Sequence, residues 1–304
     1  MATAEQVTVA PTALELRRIK KRYGDLSVLK ELEMHVEEGE VYGFLGRNGA
    51  GKSTALRIIM SITRADEGDI RFFGRSITPN DPAPRQQIGY VAQEQHFYGW
   101  MTAPRLGQFV SGFYPTWDES EFRRLLHVLE VPTDRKIHGF SGGMNTKLAL
   151  CLALATKPKM LLLDEPTAGM DAVARREFID IVRDGAVRSQ RTTLISSHLI
   201  DEVEMAADRV GILDDGVMRF EGSLQTLQQS VKRFIQTESD PDVPNELPVP
   251  GAKILSDRTD QGFRKVTVQH AVGEAEQPVA DGWRAEQPSL EDIFVAMVSK
   301  PLQL

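Results

Sequence analysis

Glu40-Val-Tyr-Gly-Phe-Leu45 runs straight into Gly46-Arg-Asn-Gly-Ala-Gly-Lys52-Ser53, and this join decides the fold. The first six residues form a short, mostly apolar run that reads as a strand. The next eight match G-x-x-x-x-G-K-[ST] at every required position, and Lys52 to Ile62 reads as a helix. Strand, glycine-rich turn and helix in that order make a phosphate-binding loop. Gly46, Gly49 and Gly51 let the backbone curl so that its N–H groups converge on phosphate oxygens. The helix start adds the positive end of its dipole. Lys52 neutralises the terminal phosphates, and the Ser53 hydroxyl is a ligand for Mg²⁺. Taken alone, the motif specifies a nucleotide binder and no more.

Working outward, Met160-Leu-Leu-Leu reads as a buried parallel strand that ends in Asp164-Glu165. Two adjacent carboxylates at a buried strand end are costly unless a cation or a proton compensates them. Mg²⁺ held by Asp164 and the phosphates supplies that compensation and leaves Glu165 to orient and deprotonate a water. His198 closes a further strand, Thr192–Ser197. On spacing alone it is either a structural histidine or a group that holds Glu165 and the terminal phosphate in register.

The remaining pattern fits an α/β chain. Leu14 to Ile19 reads as a strand and Leu32 to Val36 alternates as an edge strand does; Ile88 to Ala92 is another strand. Thr102 to Val131 is helical, with Phe122, Leu125, Leu126 and Leu129 at three- and four-residue steps. Lys147–Thr156, Val173–Val187 and Leu199–Ala207 are helical too, and 209–213 and 217–220 form a hairpin around Asp214-Asp215-Gly216. The character changes after Gly222. Glu238 to Gly251 carries four prolines and reads as a linker, 254–268 as a hairpin and Ser289–Val298 as a closing helix.

Composition removes several classes of function. Among 304 residues, 36 basic and 43 acidic side chains leave a net charge of −7, which offers no basic footprint for nucleic acid or anionic lipid. The single cysteine, Cys151, lies in an apolar helical run and is expected to pack as a small hydrophobe. No stretch approaches the roughly 20 apolar residues of a membrane span, and Met1 to Glu15 lacks the pattern of a signal peptide. The chain is therefore expected in the cytosol, with any membrane work done through a partner.

Further motifs make the match family-specific. Phe140-Ser141-Gly142-Gly143-Met144 resembles the signature of ATP-binding cassette (ABC) proteins, usually LSGGQ. Gln93 resembles the Q-loop glutamine, Ala168-Gly169-Met170-Asp171 the D-loop, His198 the switch histidine, and Tyr23 the aromatic that stacks on adenine. All occur in the family's order between about residues 14 and 222. The resemblance implies an α/β P-loop NTPase of ABC type. Its parts are a RecA-like core, an antiparallel β subdomain and a helical signature subdomain over about 95–157. The ATPase domain then covers 1–222, and a small α+β accessory domain covers 223–304.

Residue by residue, the resemblance implies that Tyr23 stacks on the adenine of ATP with Val28 beside it. Asn48, Gly49, Ala50, Gly51, Lys52, Ser53 and Thr54 hold the phosphates. Ser53 and Gln93 coordinate Mg²⁺ with Asp164 behind them, Glu165 is the general base and His198 its partner. Ser141, Gly142 and Gly143 bind the γ-phosphate of ATP held by a second ATPase chain, and Asp171 crosses the same interface. Ser141 and two glycines ahead of a helix are a site for an anion on physical grounds as well, with an ordinary helix N-cap as the alternative. Phe140, Met144 and Met170 depart from the family's usual leucine, glutamine and leucine. No catalytic position is degenerate, so two identical chains with two working sites are expected.

Phe113-Tyr-Pro-Thr-Trp117-Asp118 resembles the FYPxWD pattern of ATPases paired with ABC-2 type exporter subunits, and Pro288 to Phe294 resembles that group's terminal helix. The alternative for Tyr114 to Trp117 is an aromatic-anchored turn before a helix. The expected partner is an integral membrane permease subunit, received near Phe97, Tyr98 and Trp100. An importer ATPase whose C-terminal region senses substrate, and a soluble ABC ATPase acting on ribosomes or DNA, are the competing readings. The single cassette, the lack of sustained heptads and the acidic balance speak against the last.

Overall fold

The computed structural model describes residues 11–78, 81–236, 252–260, 263–270 and 282–298. The chain divides into two compact units, Met1–Met218 and Arg219–Leu304; the sequence pattern changes a few residues later, after Gly222.

The first unit opens with two long strands, β1 (Thr12–Tyr23) and β2 (Leu26–Glu37), paired antiparallel. After β3 (Val41–Gly46) and α1 (Lys52–Ile59) come β4 (Glu67–Phe72) and β5 (Arg75–Ser76), which complete a four-stranded sheet in the order β2-β1-β4-β5. The alternating segment 32–36 does lie on an edge strand. The chain continues through α2 (Ala83–Gln87), β6 (Ile88–Val91), α3 (Ala103–Ser111), α4 (Glu119–Val128), α5 (Gly142–Ala155) and β7 (Met160–Asp164). It goes on through α6 (Ala172–Ser189), β8 (Thr192–Ser197), α7 (Ile200–Ala206), β9 (Arg209–Asp214) and β10 (Val217–Ser223).

A six-stranded sheet in the order β10-β9-β3-β8-β7-β6 forms the core, and β6, β7, β8, β3 and β9 run parallel. Its central strands are buried along their whole length, as strands covered on both faces are. One face packs with α1 and the antiparallel sheet around Tyr42, Phe44, Leu56 and Leu162. The other packs with α3 to α6 around Leu163, Phe122, Leu150 and Phe178. Helix α5 is apolar on every side and buried from Leu148 to Ala155, which explains the inert, fully buried Cys151. Burial pushes the Cys151 thiol pKa up.

The predicted helical stretch 102–131 is two helices with a turn between them. Trp117 packs on Phe122 with ring centroids 5.0 Å apart, and Asp118 caps α4 by accepting from the Glu121 N–H at 2.9 Å. The Asp118 N–H also donates to the Ala155 carbonyl at 2.7 Å, tying this turn to the end of α5. Trp117-Asp118 is thus an aromatic-anchored helix start, while Phe113 in the same pattern faces solvent.

The second unit holds α8 (Leu224–Ser230), β11 (Val231–Gln236), β12 (Lys253–Asp260), β13 (Phe263–Gln269), β14 (Trp283–Glu286) and α9 (Leu290–Val298). Its sheet has the order β12-β13-β11-β14, with all the pairs antiparallel. Phe234, Val266, Val268 and Trp283 form a small core. The expected hairpin over 254–268 is β12–β13. The proline-rich segment 238–251 lies outside the described residues. Among those residues no helix is long and apolar enough to cross a membrane.

Candidate functional site

Three neighbouring parallel strands, β3, β8 and β7, end on one edge of the core sheet, and the site is built there. Register aligns Leu45 with Ser197 and Asp164 with Ser196, so the loops that leave these strands converge. Ligands of open α/β sheets bind beyond such carboxyl ends.

The loop after β3 turns through Gly49 (φ 83°) and Gly51 (φ 111°). At Gly51 a Cβ would also lie 2.7 Å from Leu29 Cδ2, so glycine is required by both backbone and space. Helices α4, α5 and α6 are capped by the side chains of Asp118, Ser141 and Asp171. Helix α1, by contrast, has no side-chain cap and no acid in its first turn. The start of α1 therefore keeps its positive potential, as an anion site requires. The side chain of Lys52, the first residue of α1, is 4% exposed; its Nζ donates to the Gly46 carbonyl at 2.7 Å.

The two carboxylates have separate surroundings. Asp164 is held by hydroxyls: Ser53 Oγ donates to Oδ1 at 3.0 Å, Ser196 Oγ to the same atom at 2.7 Å, and Tyr90 OH lies 3.5 Å from Oδ2. Burial and this carboxylate push the Tyr90 phenol pKa up to about 12, so it stays a donor. Glu165 is held by one cation and an imidazole. Its Oε1 lies 3.1 Å from Lys52 Nζ and its Oε2 3.0 Å from His198 Nδ1. Glu165 also sits at φ 45°, a left-handed conformation unusual for a side chain of this size and typical of residues held for function. The Ser196 carbonyl and hydroxyl both receive the Glu165 N–H, which fixes the strained turn.

The sequence-predicted residues thus fall into groups. Lys52, Ser53, Asp164, Glu165 and His198 come together. Val28 lies beside them, its carbonyl 3.1 Å from where a Gly51 Cβ would stand. Tyr23, half exposed at the hairpin between β1 and β2, has Lys21 Nζ 5.3 Å from its ring centre. Gln93 is exposed just beyond β6, and no side-chain hydrogen bond ties it to Ser53 or Asp164. Ser141 caps α5 by accepting from the Met144 N–H at 3.3 Å, so the N-cap alternative is realised, yet Ser141 and Gly142 remain exposed. Asp171 caps α6 through the N–H groups of Val173 and Ala174, which hold its carboxyl pKa below the usual range.

Two departures in the signature are connected. The Arg135 guanidinium stacks 5.5 Å from the Phe140 ring and donates to Met144 Sδ at 2.9 Å. Sequence reading missed Tyr90, Ser196 and Arg135. Only the first two carry a signal, since a hydroxyl at the end of each strand flanking β7 is placed to meet a carboxylate.

The donor set fits a magnesium nucleotide. The Ser53 hydroxyl and the Asp164 carboxylate are hard oxygen donors beside a phosphate cradle. No cluster of three or more His, Cys, Asp or Glu able to hold a metal occurs among the described residues. A cation at this site would take its other ligands from phosphate and water, which is the habit of Mg²⁺.

Comparison with known proteins agrees with this geometry. The profile of the ABC transporter family matches residues 29–168. An ABC transporter ATP-binding protein of Bacillus subtilis, YtrB, is 35% identical over 230 residues, covering 76% of this chain and 78% of that one. This chain belongs to the ABC transporter ATP-binding proteins. The linearmycin resistance ATP-binding protein LnrL of the same organism is 36% identical over 67% of each chain. The B. subtilis ATP-binding protein YcbN is 28% identical over 292 residues, 92% of this chain and 95% of its own. A solved ATP-binding subunit of an ABC transporter superposes with a TM-score of 0.64 at 25% identity, covering 71% of this chain and 92% of that one. The α/β P-loop fold of ABC type, ATP binding and ATP hydrolysis as part of a transporter follow from that membership. Cassettes of this family dimerise and work with membrane permeases.

Proposed function

We propose that this chain powers an exporter and that two identical copies close around two molecules of ATP. The reading of the site rests above all on one observation: Glu165 is held between Lys52 and His198, beside but not against the Asp164 hydroxyl cluster. That separation gives each acid one task. Asp164 and Ser53, with Gln93, would hold Mg²⁺, which would screen the phosphate charge. Asn48 to Thr54 and the bare start of α1 receive the phosphates, and Lys52 exchanges Glu165 for the terminal phosphate. Glu165, released from Lys52 and still oriented by His198, takes a proton from water. Tyr23 and Val28 flank the adenine.

Ser141, Gly142 and Gly143 of each copy meet the terminal phosphate held by the other, and Asp171 lies at the same junction. The exposure of Ser141 and Gly142 at the start of α5 supports this. Binding then drives closure because the phosphates are gripped by two chains only in the closed pair. Export is supported by the relatives, which include the bacitracin transport ATP-binding protein of Bacillus licheniformis (29% identical over 74% of each chain) and a Nod factor export ATP-binding protein of Burkholderia thailandensis (34%, again 74% of each).

The permease would seat on an exposed aromatic patch. Trp100, Tyr98, Phe109 and Phe113 form a chain of rings with successive centroids 6.2, 5.8 and 5.3 Å apart. Phe97, also expected there, packs toward the core instead. Such a patch is unusual on a monomer's surface and typical of an interface core. On this reading the chain works at the cytoplasmic face of the membrane.

The experiment is affinity purification of the tagged chain from gently solubilised membranes, followed by light scattering with ATP and Mg²⁺ under hydrolysis-blocked conditions. A co-purifying membrane protein and a nucleotide-dependent dimer are expected. A chain that stays monomeric with its membrane partner and nucleotide present refutes the two-chain site.

A further inference from the structure

The His198–Glu165 contact is supported from behind by a buried carboxylate to which neither the sequence motifs nor the proposed roles assign a task. Glu202, on the first turn of α7, is 1% exposed. Its Oε1 accepts a short hydrogen bond from the Thr167 hydroxyl and its Oε2 accepts from Ser197 Oγ at 2.7 Å. Arg175, on α6, brings its Nε to 3.6 Å of Oε1. Arg175 Nε is buried and makes no hydrogen bond, so the guanidinium serves here as compensating charge.

The two hydroxyls occupy informative positions. Thr167 lies two residues after Glu165, and Ser197 lies immediately before His198. The same Ser197 Oγ accepts from the Leu199 N–H at 2.9 Å, closing a small ring around the His198 backbone. The Thr167 carbonyl accepts from the Met170 N–H at 3.0 Å, so the loop leading to Asp171 is anchored at the same point. One carboxylate therefore grips the segment that carries the base and the segment that carries its partner. A buried carboxylate is costly to desolvate, and hydrophobic packing would join these segments without that cost. What a two-armed acceptor adds is a fixed distance between them.

We infer that Glu202 is a positioning residue for hydrolysis: through Thr167 and Ser197 it sets the separation of Glu165 and His198 and couples both to the loop that ends at Asp171. The inference rests on the reading of Glu165 as base and His198 as its partner. Glu202 touches no nucleotide. Its loss therefore acts on turnover and leaves nucleotide affinity alone, because the phosphate cradle is built from β3 and α1.

The test removes one arm at a time in the full chain, since Glu202→Ala would strand Arg175 and risk folding. Thr167→Val and Ser197→Ala each lower kcat by on the order of ten-fold or more, the scale of a slightly misplaced catalytic group. The ATP dissociation constant and KM stay within about two-fold, and Thr167→Ser, which restores the hydroxyl, restores kcat. Single-turnover rates are then measured with each variant combined with His198→Ala. If the clamp acts through His198 and Glu165, Thr167→Val costs little once His198 is gone. Equal losses with and without His198, unchanged kcat in both single variants, or parallel loss of affinity and kcat would overturn the clamp. Full turnover in His198→Ala and Glu165→Gln would instead remove the reading beneath it, and the clamp with it.

Discussion

The contact between Lys52 and Glu165 makes a quantitative prediction. The two groups are 3.1 Å apart, with side chains 4% and 8% exposed, so neither is well solvated. In the proposed cycle Lys52 is also the cation that receives the terminal phosphate, and Glu165 competes for it. Replacing Glu165 by Gln keeps the shape but removes the charge. Lys52 stays charged, so only the ion-pair part of the contact is lost; directly contacting groups of this kind couple by about 0.5–3 kcal/mol, and the exchange weakens the contact by about 1.4 kcal/mol, near the middle of that range. Two consequences carry the same magnitude. The nucleotide-free Glu165→Gln protein loses about 1.4 kcal/mol of stability, a fall in Tm of ~3–5 °C for a domain of this size. The nucleotide no longer displaces a carboxylate, so ATP binds about ten-fold tighter.

The assay is a pair of titrations on the isolated chain, held dilute enough to remain monomeric: thermal unfolding without nucleotide, and binding of ATP with Mg²⁺ by calorimetry. Turnover is expected to fall at least 10²-fold as the base is lost. The informative result is the opposite sign of the first two effects. If the variant is as stable as the parent and binds ATP no tighter, Glu165 does not hold Lys52 in reserve and the exchange step is wrong. If both stability and affinity fall, Glu165 is part of the cradle rather than its competitor.

Three further outcomes follow from particular contacts. Burial raises the Glu40 pKa from 4.5 to about 7. A raised carboxylate pKa contributes stability that is fully present below about pH 4.5 and lost as pH rises through 7, so urea titrations of Glu40→Gln, which keeps the bond to the Glu37 N–H, should show a shallower decline over that window and a gain above it. A Cβ at Gly107 would stand 2.2 Å from Phe122 Cε1, so Gly107→Ala should cost about 1–3 kcal/mol by overpacking, read by denaturant unfolding; an unchanged midpoint would mean that Phe122 moves freely. Phe113→Glu puts a charge into the exposed aromatic chain and should leave basal ATPase unchanged while abolishing its stimulation by the membrane partner; retained stimulation would place the docking surface elsewhere.

Most of the fold could be read because two local signals agreed. The strand-to-turn-to-helix join at Gly46–Ser53 specified a parallel sheet with its site at one end, and the apolar runs at 41–45 and 160–163, with the Thr- and Ile-bearing stretch 192–197, supplied its central strands. What escaped was set by tertiary contact. β4 and β5 carry few apolar residues, Glu67-Gly-Asp-Ile-Arg-Phe showing little alternation; β4 exists because β1 offers it an edge, and β5 because β4 does. Helix α5 begins at Gly142, whereas its sequence reads as helical only from Asn145 or Lys147. Two glycines oppose helix formation, and the Ser141 cap together with burial of the helix from Leu148 to Ala155 overrides them.

The site shows the same division more sharply. Desolvation required that Asp164 and Glu165 be compensated, and that argument reads directly from the sequence. It fixes neither which groups compensate nor how the two acids are told apart. Lys52 and Ser53 are adjacent at the start of one helix, yet Lys52 goes to Glu165 and Ser53 to Asp164. The choice follows from the chain's turn at Glu165. With φ at 45° the backbone leaves the extended path, so Glu165 turns away from the line of β7 that Asp164 still follows. Asp164 is left facing the hydroxyls of Ser53 and Ser196, and Glu165 swings to Lys52 and His198. A single left-handed residue, invisible to period and composition, thus separates the acid held by hydroxyls from the acid held by Lys52 and His198, the division on which the proposed roles rest. Relaxing that turn would merge the two acids' surroundings and raise the cost of ionising both.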